Sequence, residues 1–191
     1  MEEDAALAAA QSGTVDVAHT AASYSDTEIE GYELFRVDTV DNRGFNLPAA
    51  PAEEKDGVMT GNDFTSDVEV RRAINIGIDR EEMIDNVLNG YGTPAYSVCD
   101  KMPWYNEEAE TEYDFEGAVK ILEDAGWKEG KDGIREKDGV RAEMQIVYPA
   151  SDSVRQALAE DAKTSLLNWE FLLLQRELTG ILPILRPCLS L

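Results

Sequence analysis

Histidine is almost missing from this sequence: His19 is the single one in 191 residues. That excludes multi-histidine metal sites such as HExxH and leaves one imidazole for acid–base work. Cysteine is nearly as scarce. Cys99 and Cys188 stand far apart, which excludes a disulfide framework, a CxxC redox motif and a four-cysteine zinc site. Positive charge is also short, with 17 Lys+Arg against 39 Asp+Glu and a net charge of −22. Nucleic acid is therefore not expected as a partner, because phosphate binding needs clustered Lys and Arg. An anionic membrane surface is disfavoured for the same reason. No apolar run reaches the roughly 20 residues of a membrane helix. The start, Met1-Glu2-Glu3-Asp4, is acidic where a secretory leader would be basic, so no signal peptide is expected. There is no P-loop, no GxGxxG, no GxSxG and no kinase signature. No nucleophile–base pair stands out, so the sequence does not point to an enzyme, and no cofactor or metal is expected.

What is present is enough for a packed core: 43% of the residues are hydrophobic. At roughly 100–200 residues per domain, the length allows one domain or one and a fraction. Residues 4–13 read as a short helix rich in alanine, closed by Gly13. Val15–Ala18 is a short β-prone run, and Tyr32–Val40 suits a strand. Asp41–Gly44 is a turn signal, followed by a brief extended Phe45-Asn46-Leu47. Pro48–Thr65, with two prolines, two glycines and many charges, reads as a long loop. Residues 66–90 read as two consecutive helices. Val70, Ile74, Gly77 and Ile78 form the first apolar stripe, and Met83, Ile84, Val87 and Leu88 the second. Asp79, with Glu82 three residues on, marks the start of the second helix, and Gly90 its end. Tyr91–Asn106 is irregular. A further helix runs from about Asp114 to Ala125, with Gly126 as its stop. Asp138-Gly139 predicts a tight hairpin. Val140–Tyr148 alternates as a half-buried strand, and residues 152–167 form an amphipathic helix.

Few of these residues suggest chemistry. Gly130–Gly139 faintly resembles a calcium loop but lacks the alternating Asp ligands and terminal Glu. A turn plus hairpin accounts for it more simply. His19 follows the C-terminal end of an expected strand, the end that faces the ligand crevice in open α/β sheets; the plainer reading is a solvated loop histidine. Trp104 and Tyr105 suit either an aromatic ligand wall or packing over an irregular loop. Arg71 and Arg72 suit either a ligand carboxylate or surface pairing beside Glu69. A hydrolase with paired carboxylates would need two of them to converge about 5–10 Å apart.

The middle of the chain carries a resemblance. Asp67-Val68-Glu69-Val70-Arg71-Arg72-Ala73-Ile74-Asn75-Ile76-Gly77-Ile78-Asp79-Arg80 resembles the D-x-x-V-R-x-A-[IL]-x-x-A-[IL]-D-[RK] stretch of ABC-transporter solute-binding proteins of family 5, the peptide/nickel/opine type. Gly90–Ala95 is similar to that family's G-x-[AG]-x-P-A loop. Tyr113-Asp114 through Ala118, Leu122, Ala125, Gly126 and Trp127 is similar to its Y-D-P-x-x-A-x-x-L-L-x-x-A-G-[WY] helix, with Phe115 in place of proline and Gly117 weakening the helix start. Ala6–Ala18 resembles its A-L-x-x-G-x-[IV]-D-[IVL] segment, and Phe45-Asn46-Leu47 its strand between lobes. The resemblance runs over about residues 4–167.

It implies an α/β fold, part of a two-lobed type II periplasmic-binding-protein architecture. Residues 1–47 would be part of the first lobe with the crossover strand, 48–66 a loop, and 67–167 part of the second lobe. It also implies capture of a peptide or nickel chelate between lobes, outside the cytoplasm, for delivery to an ABC permease. His19, Asn42, Phe45 and Asn46 are the residues it places near the ligand, with no metal ligand and no catalytic residue among them. The chain resembles an internal fragment of such a protein, with weak or no ligand binding of its own. The alternative is a truncated or frameshifted product without activity that folds or self-associates through exposed lobe surface and an apolar tail.

Residues 168–191 depart in composition: Glu170 and Glu177 are the only acids after Asp161. The family pattern expects Leu-Gly-Ile here and a Trp-Asp about ten residues later. Asn168–Phe171 can be encoded AAT-TGG-GAA-TTT, which reads Leu-Gly-Ile two nucleotides on. In the same frame, Leu178–Ile181 can give Asp-Trp-Asp. A frameshifted, non-family tail is therefore expected from about residue 168.

Overall fold

In a computed structural model, residues 3–178 are described except 21 and 38. The helices form where capping and periodicity coincide. Helix α1 spans Glu3–Gln11. Helix α2, Asp63–Ser66, is capped by Asn62, whose side chain accepts from the Thr65 amide. Helix α3, Val68–Gly77, starts at Asp67, and α4, Arg80–Leu88, starts at Asp79; each carboxylate accepts amides of its own first turn. Helix α4 ends on Asn89 and Gly90, both left-handed at φ 52° and 78°. Asp114 caps α5, Phe115–Asp124, by accepting from the Gly117 amide, and Asp152 caps α6, Ser153–Leu167. Gly117 leaves room for that carboxylate, since a Cβ there would collide with Asp114.

The strands are short. Glu53–Lys55 (β1) pairs antiparallel with Val58–Thr60 (β2). Lys128–Glu129 (β3), Arg135–Lys137 (β4) and Val140–Arg141 (β5) form an antiparallel sheet in that order. Lys137 faces Val140 across Asp138 and Gly139, whose φ values of 51° and 82° are those of the two-residue hairpin turn. Glu143–Pro149 (β6) continues through α6 into Leu172–Leu178 (β7), and the two strands pair in parallel from Glu143↔Leu172 to Pro149↔Leu178. A parallel pair requires such a crossover, and here it is the helix.

One core joins these elements. Val70, Ala73, Ile74, Ala118, Leu122, Trp127, Ala142, Met144, Val154, Ala162 and Leu166 are buried in it. An edge-to-face aromatic chain runs through its centre: Phe64 meets Trp127 at 4.9 Å and Phe171 at 4.8 Å, and Trp169 meets Phe171 at 5.7 Å and Phe115 at 5.5 Å. Such pairs add roughly 0.5–1.5 kcal/mol each beyond their buried area. Trp169 and Phe171 lie in this core although they stand where the composition changes. Residues 179–191, with Cys188 and the second half of the apolar tail, lie outside the described residues.

Four expectations are corrected. Val15–Ala18 forms no strand, and Val17 is 87% exposed. The described residues of 32–40 form no strand either: Leu34, Phe35, Val37 and Val40 are exposed. Both runs have β-forming composition, but a strand exists only when another backbone pairs with it. Pro48–Thr65 is more than a loop, because it holds the hairpin β1–β2 and α2. Gly61 closes that hairpin against the Pro51 carbonyl at φ 73°, where a Cβ would collide. The strand expected over Val140–Tyr148 is broken at Ala142, whose amide turns to the Arg135 carbonyl at 2.8 Å. Its alternation survives, with Ala142, Met144 and Tyr148 buried.

Candidate functional site

The segment after α1 runs over one end of the larger body, and the seam between them is the candidate site. Polar contacts fix it at three points. Arg36 donates to the Tyr91 hydroxyl at 2.9 Å and to the Ser25 carbonyl at 3.2 Å, and its guanidinium lies 4.4 Å from the Tyr91 ring centre. The Tyr91 hydroxyl in turn donates to Asp26. That bond to Asp26, with burial, holds the phenol above its ordinary value against the pull of Arg36. Asn42 donates to the Val98 carbonyl at 3.3 Å. Arg43 pairs with Asp152 at 3.2 Å, at the start of α6.

Asp152 is the most heavily used group there. It accepts the Arg155 amide at 2.8 Å, pairs with the Arg155 side chain, and receives Arg43. Burial alone would raise its pKa, but the Arg155 amide and the two guanidinium charges outweigh burial and hold it below 3.8.

The four residues expected near a ligand are only partly brought together. Asn42, Phe45 and Asn46 share the segment crossing the seam. Asn42 is half-buried, Phe45 packs against the main core, and Asn46 is exposed. His19 is exposed on the loop after α1. Among the described residues, no hydrogen bond joins His19 to the 42–46 segment. Trp104 is 69% exposed, so it neither packs over its loop nor stands in an enclosed wall. Tyr105 is half-buried and donates to Glu110 at 3.2 Å. Arg72 pairs with Glu69 at 2.7 Å, while Arg71 closes α2 by donating to the Thr65 and Ser66 carbonyls. Asp132 pairs with Arg141 instead of presenting a cation site, and Gly130–Gly139 is turn and hairpin.

Sequence reasoning missed Arg36, Tyr91 and the Arg43–Asp152 pair. Each contact spans more than fifty residues of chain, and no local pattern announces it. The guanidinium, phenol, amide and carboxylate groups of the seam are engaged with one another and hold the segment against the body. Among the described residues, no group of three His, Cys, Asp or Glu is placed to hold a metal ion. A shallow groove elsewhere, lined by Asn62, Asp63, Arg141 and Glu143, has its carboxylates engaged. Asp63 accepts the Ala52 amide at 2.8 Å, and Glu143 lies 3.5 Å from Arg141.

The fold is part of that of the two-lobed solute-binding proteins. The chain belongs to the bacterial extracellular solute-binding proteins of family 5, whose middle section matches residues 1–167. It is similar to protein XP55 of Streptomyces lividans, 40% identical over 141 residues, which are 70% of this chain and 24% of that protein. The nickel-binding periplasmic protein of Escherichia coli is 32% identical over 100 residues, half of this chain and 19% of that one. Among solved structures, NikZ of Campylobacter jejuni in complex with Ni(L-His) superimposes with a TM-score of 0.74 at 25% identity, over 92% of this chain and 34% of that one. The oligopeptide-binding protein AppA of Bacillus subtilis, in complex with a nonapeptide, gives 0.55 at 28% identity, over 61% and 24%. The α/β fold is therefore part of the two-lobed periplasmic-binding-protein architecture. The chain spans about a quarter or less of the length of these curated relatives.

Proposed function

We propose that this chain is a section of the extracytoplasmic binding component of an ABC importer, which captures peptides or nickel chelates between two lobes and delivers them to a membrane permease. The family match over residues 1–167, with the fold shared with NikZ over 92% of the chain, carries this reading. Residues 1–47 belong to one lobe and the crossover, 48–66 connect, and 67–167 belong to the other. Residues 168–191 are the displaced-frame tail. Glu170 supports that last point. It sits at φ 63°, a conformation that glycine adopts freely, and the displaced frame supplies a glycine codon across Trp169 and Glu170.

His19, Asn42, Phe45 and Asn46 face the ligand in the assembled protein. In this chain alone they make a poor site, because Asn42 and Phe45 are engaged internally and His19 and Asn46 lie open to water. Binding by the isolated chain is weak or absent. The test is thermal unfolding with about 1 mM tripeptide, pentapeptide or nickel–histidine chelate, where stabilisation stays below about 1 kcal/mol. A larger shift contradicts the incomplete site.

The exposed Leu34, Phe35, Val37 and Val40 favour a second reading, an inactive product that self-associates through this run. A monodisperse monomer in light scattering contradicts it.

A further inference from the structure

The net charge of −22 is spread unevenly, and the structure shows why the cations do not offset it. Several cations are spent on surface pairs, Lys55 with Glu53, Arg72 with Glu69 and Lys120 with Asp124, and others are covered within the fold. Arg135 is buried beside Glu170, Lys137 is held by Asp67, and Arg43 and Arg155 share Asp152. The remaining excess of carboxylates is concentrated in one stretch of the chain. Between Lys101 and Lys120 there is no cation, while Glu107, Glu108, Glu110, Glu112, Asp114 and Glu116 are all exposed. The Asp114 amide donates to the Ile76 carbonyl at 2.8 Å, which sets this run beside the turn into α4, and Tyr113 there is raised by burial and by Asp79 and Glu82. Helix α4 adds exposed Glu81, Glu82 and Asp85. Its one cation, Arg80, is turned away from them: it donates to the Asn75 carbonyl and side chain and lies 4.8 Å from the Tyr96 ring centre.

We infer that the fold is built for a concentrated-salt medium, in which mobile ions screen the carboxylate face formed by α4 and residues 107–116. Like charges within reach oppose the compact state, and salt shortens that reach from about 8 Å at 0.15 M to about 3 Å at 1 M. The screening is diffuse, since among the described residues no carboxylate group is arranged to hold a metal ion. This inference does not rest on ligand capture.

The experiment is urea unfolding of the full chain in KCl from 0.1 to 2 M, beside a D85N/E107Q/E108Q/E112Q variant. These four side chains are exposed, and each keeps its shape when neutralised. The midpoint of the parent chain should rise by about 1 M urea or more across the series. The variant should start higher at low salt and show a visibly smaller rise. A parent midpoint independent of KCl overturns the inference. So does an equal rise in the variant, which would place the salt effect in apolar burial, and so does saturation by millimolar MgCl2 or CaCl2, which would indicate a discrete cation site.

Discussion

Replacing Asp67 with alanine should cost this fold about 3 kcal/mol, a large part of the 5–15 kcal/mol that holds a typical domain together. The carboxylate joins three elements. One oxygen accepts the Glu69 amide at 2.9 Å and caps α3. The other accepts the Trp127 indole N–H at 3.1 Å and the Lys137 ammonium at 2.8 Å. Loss of the cap costs about 1 kcal/mol. Trp127 is 2% exposed, so its indole N–H would be left buried without this partner, at about 1–3 kcal/mol. The Lys137 pair is partly exposed and adds about 0.5 kcal/mol after screening. The contributions share one side chain and do not add in full. Asp67→Asn keeps the cap and should cost about 1 kcal/mol, chiefly through the lost charge.

The assay is urea unfolding at pH 7, where 3 kcal/mol lowers the midpoint by about 1.5 M at an unchanged slope. Burial pushes the Asp67 carboxyl up, but Lys137, the Glu69 amide and the Trp127 indole together hold it below 3.8. Its contribution is therefore complete above the unfolded-state value and is lost as pH falls through the folded-state value. The gap between wild type and Asp67→Asn should be constant above about pH 5 and should narrow below about pH 4. A cost under about 0.5 kcal/mol for Asp67→Ala would refute the reasoning.

Two further substitutions probe other joints. A Cβ at Gly77 would collide with the Trp169 ring and stand 2.7 Å from Ala118 Cβ, so Gly77→Ala should destabilise by about 1–3 kcal/mol in the same assay. Gly44 has open space around it and no left-handed φ, so Gly44→Ala should be neutral or stabilising by up to about 1 kcal/mol. Asp152→Asn keeps a capping side chain on α6 but weakens the Arg43 pair. Tryptic cleavage after Arg43 should then speed up several-fold at unchanged helical circular dichroism; unchanged cleavage would show that the pair does not tether the crossover.

The helices were legible because their signals are local. Asp67, Asp79, Asp114 and Asp152 each cap the helix that follows, and the stripe Val70-Ile74-Gly77 is the buried face of α3. The Asp138-Gly139 turn was legible for the same reason. The strands expected at 15–18 and 32–40 were not formed, because composition cannot supply the partner backbone a strand needs. The hairpin at 53–60 went unseen because its six strand residues are all exposed and its turn, Asp56-Gly57, sits in a polar run. At the seam, Asn42 and Phe45 were visible through family resemblance. Arg43, which ties the same segment to Asp152, was not, since the two residues are 109 positions apart.

The central proposal, that this chain is a section of a longer family 5 binding protein with a displaced-frame tail, meets its most direct test in the nucleotide sequence through codons 160–191 and beyond. The account predicts that the frame two nucleotides on reads Leu-Gly-Ile at codons 168–171, then Asp-Trp-Asp near codons 178–181, and stays open. A displaced frame that closes at once, or that lacks Asp-Trp-Asp near codons 178–181, would contradict it and make Trp169 and Phe171 the native completion of this core.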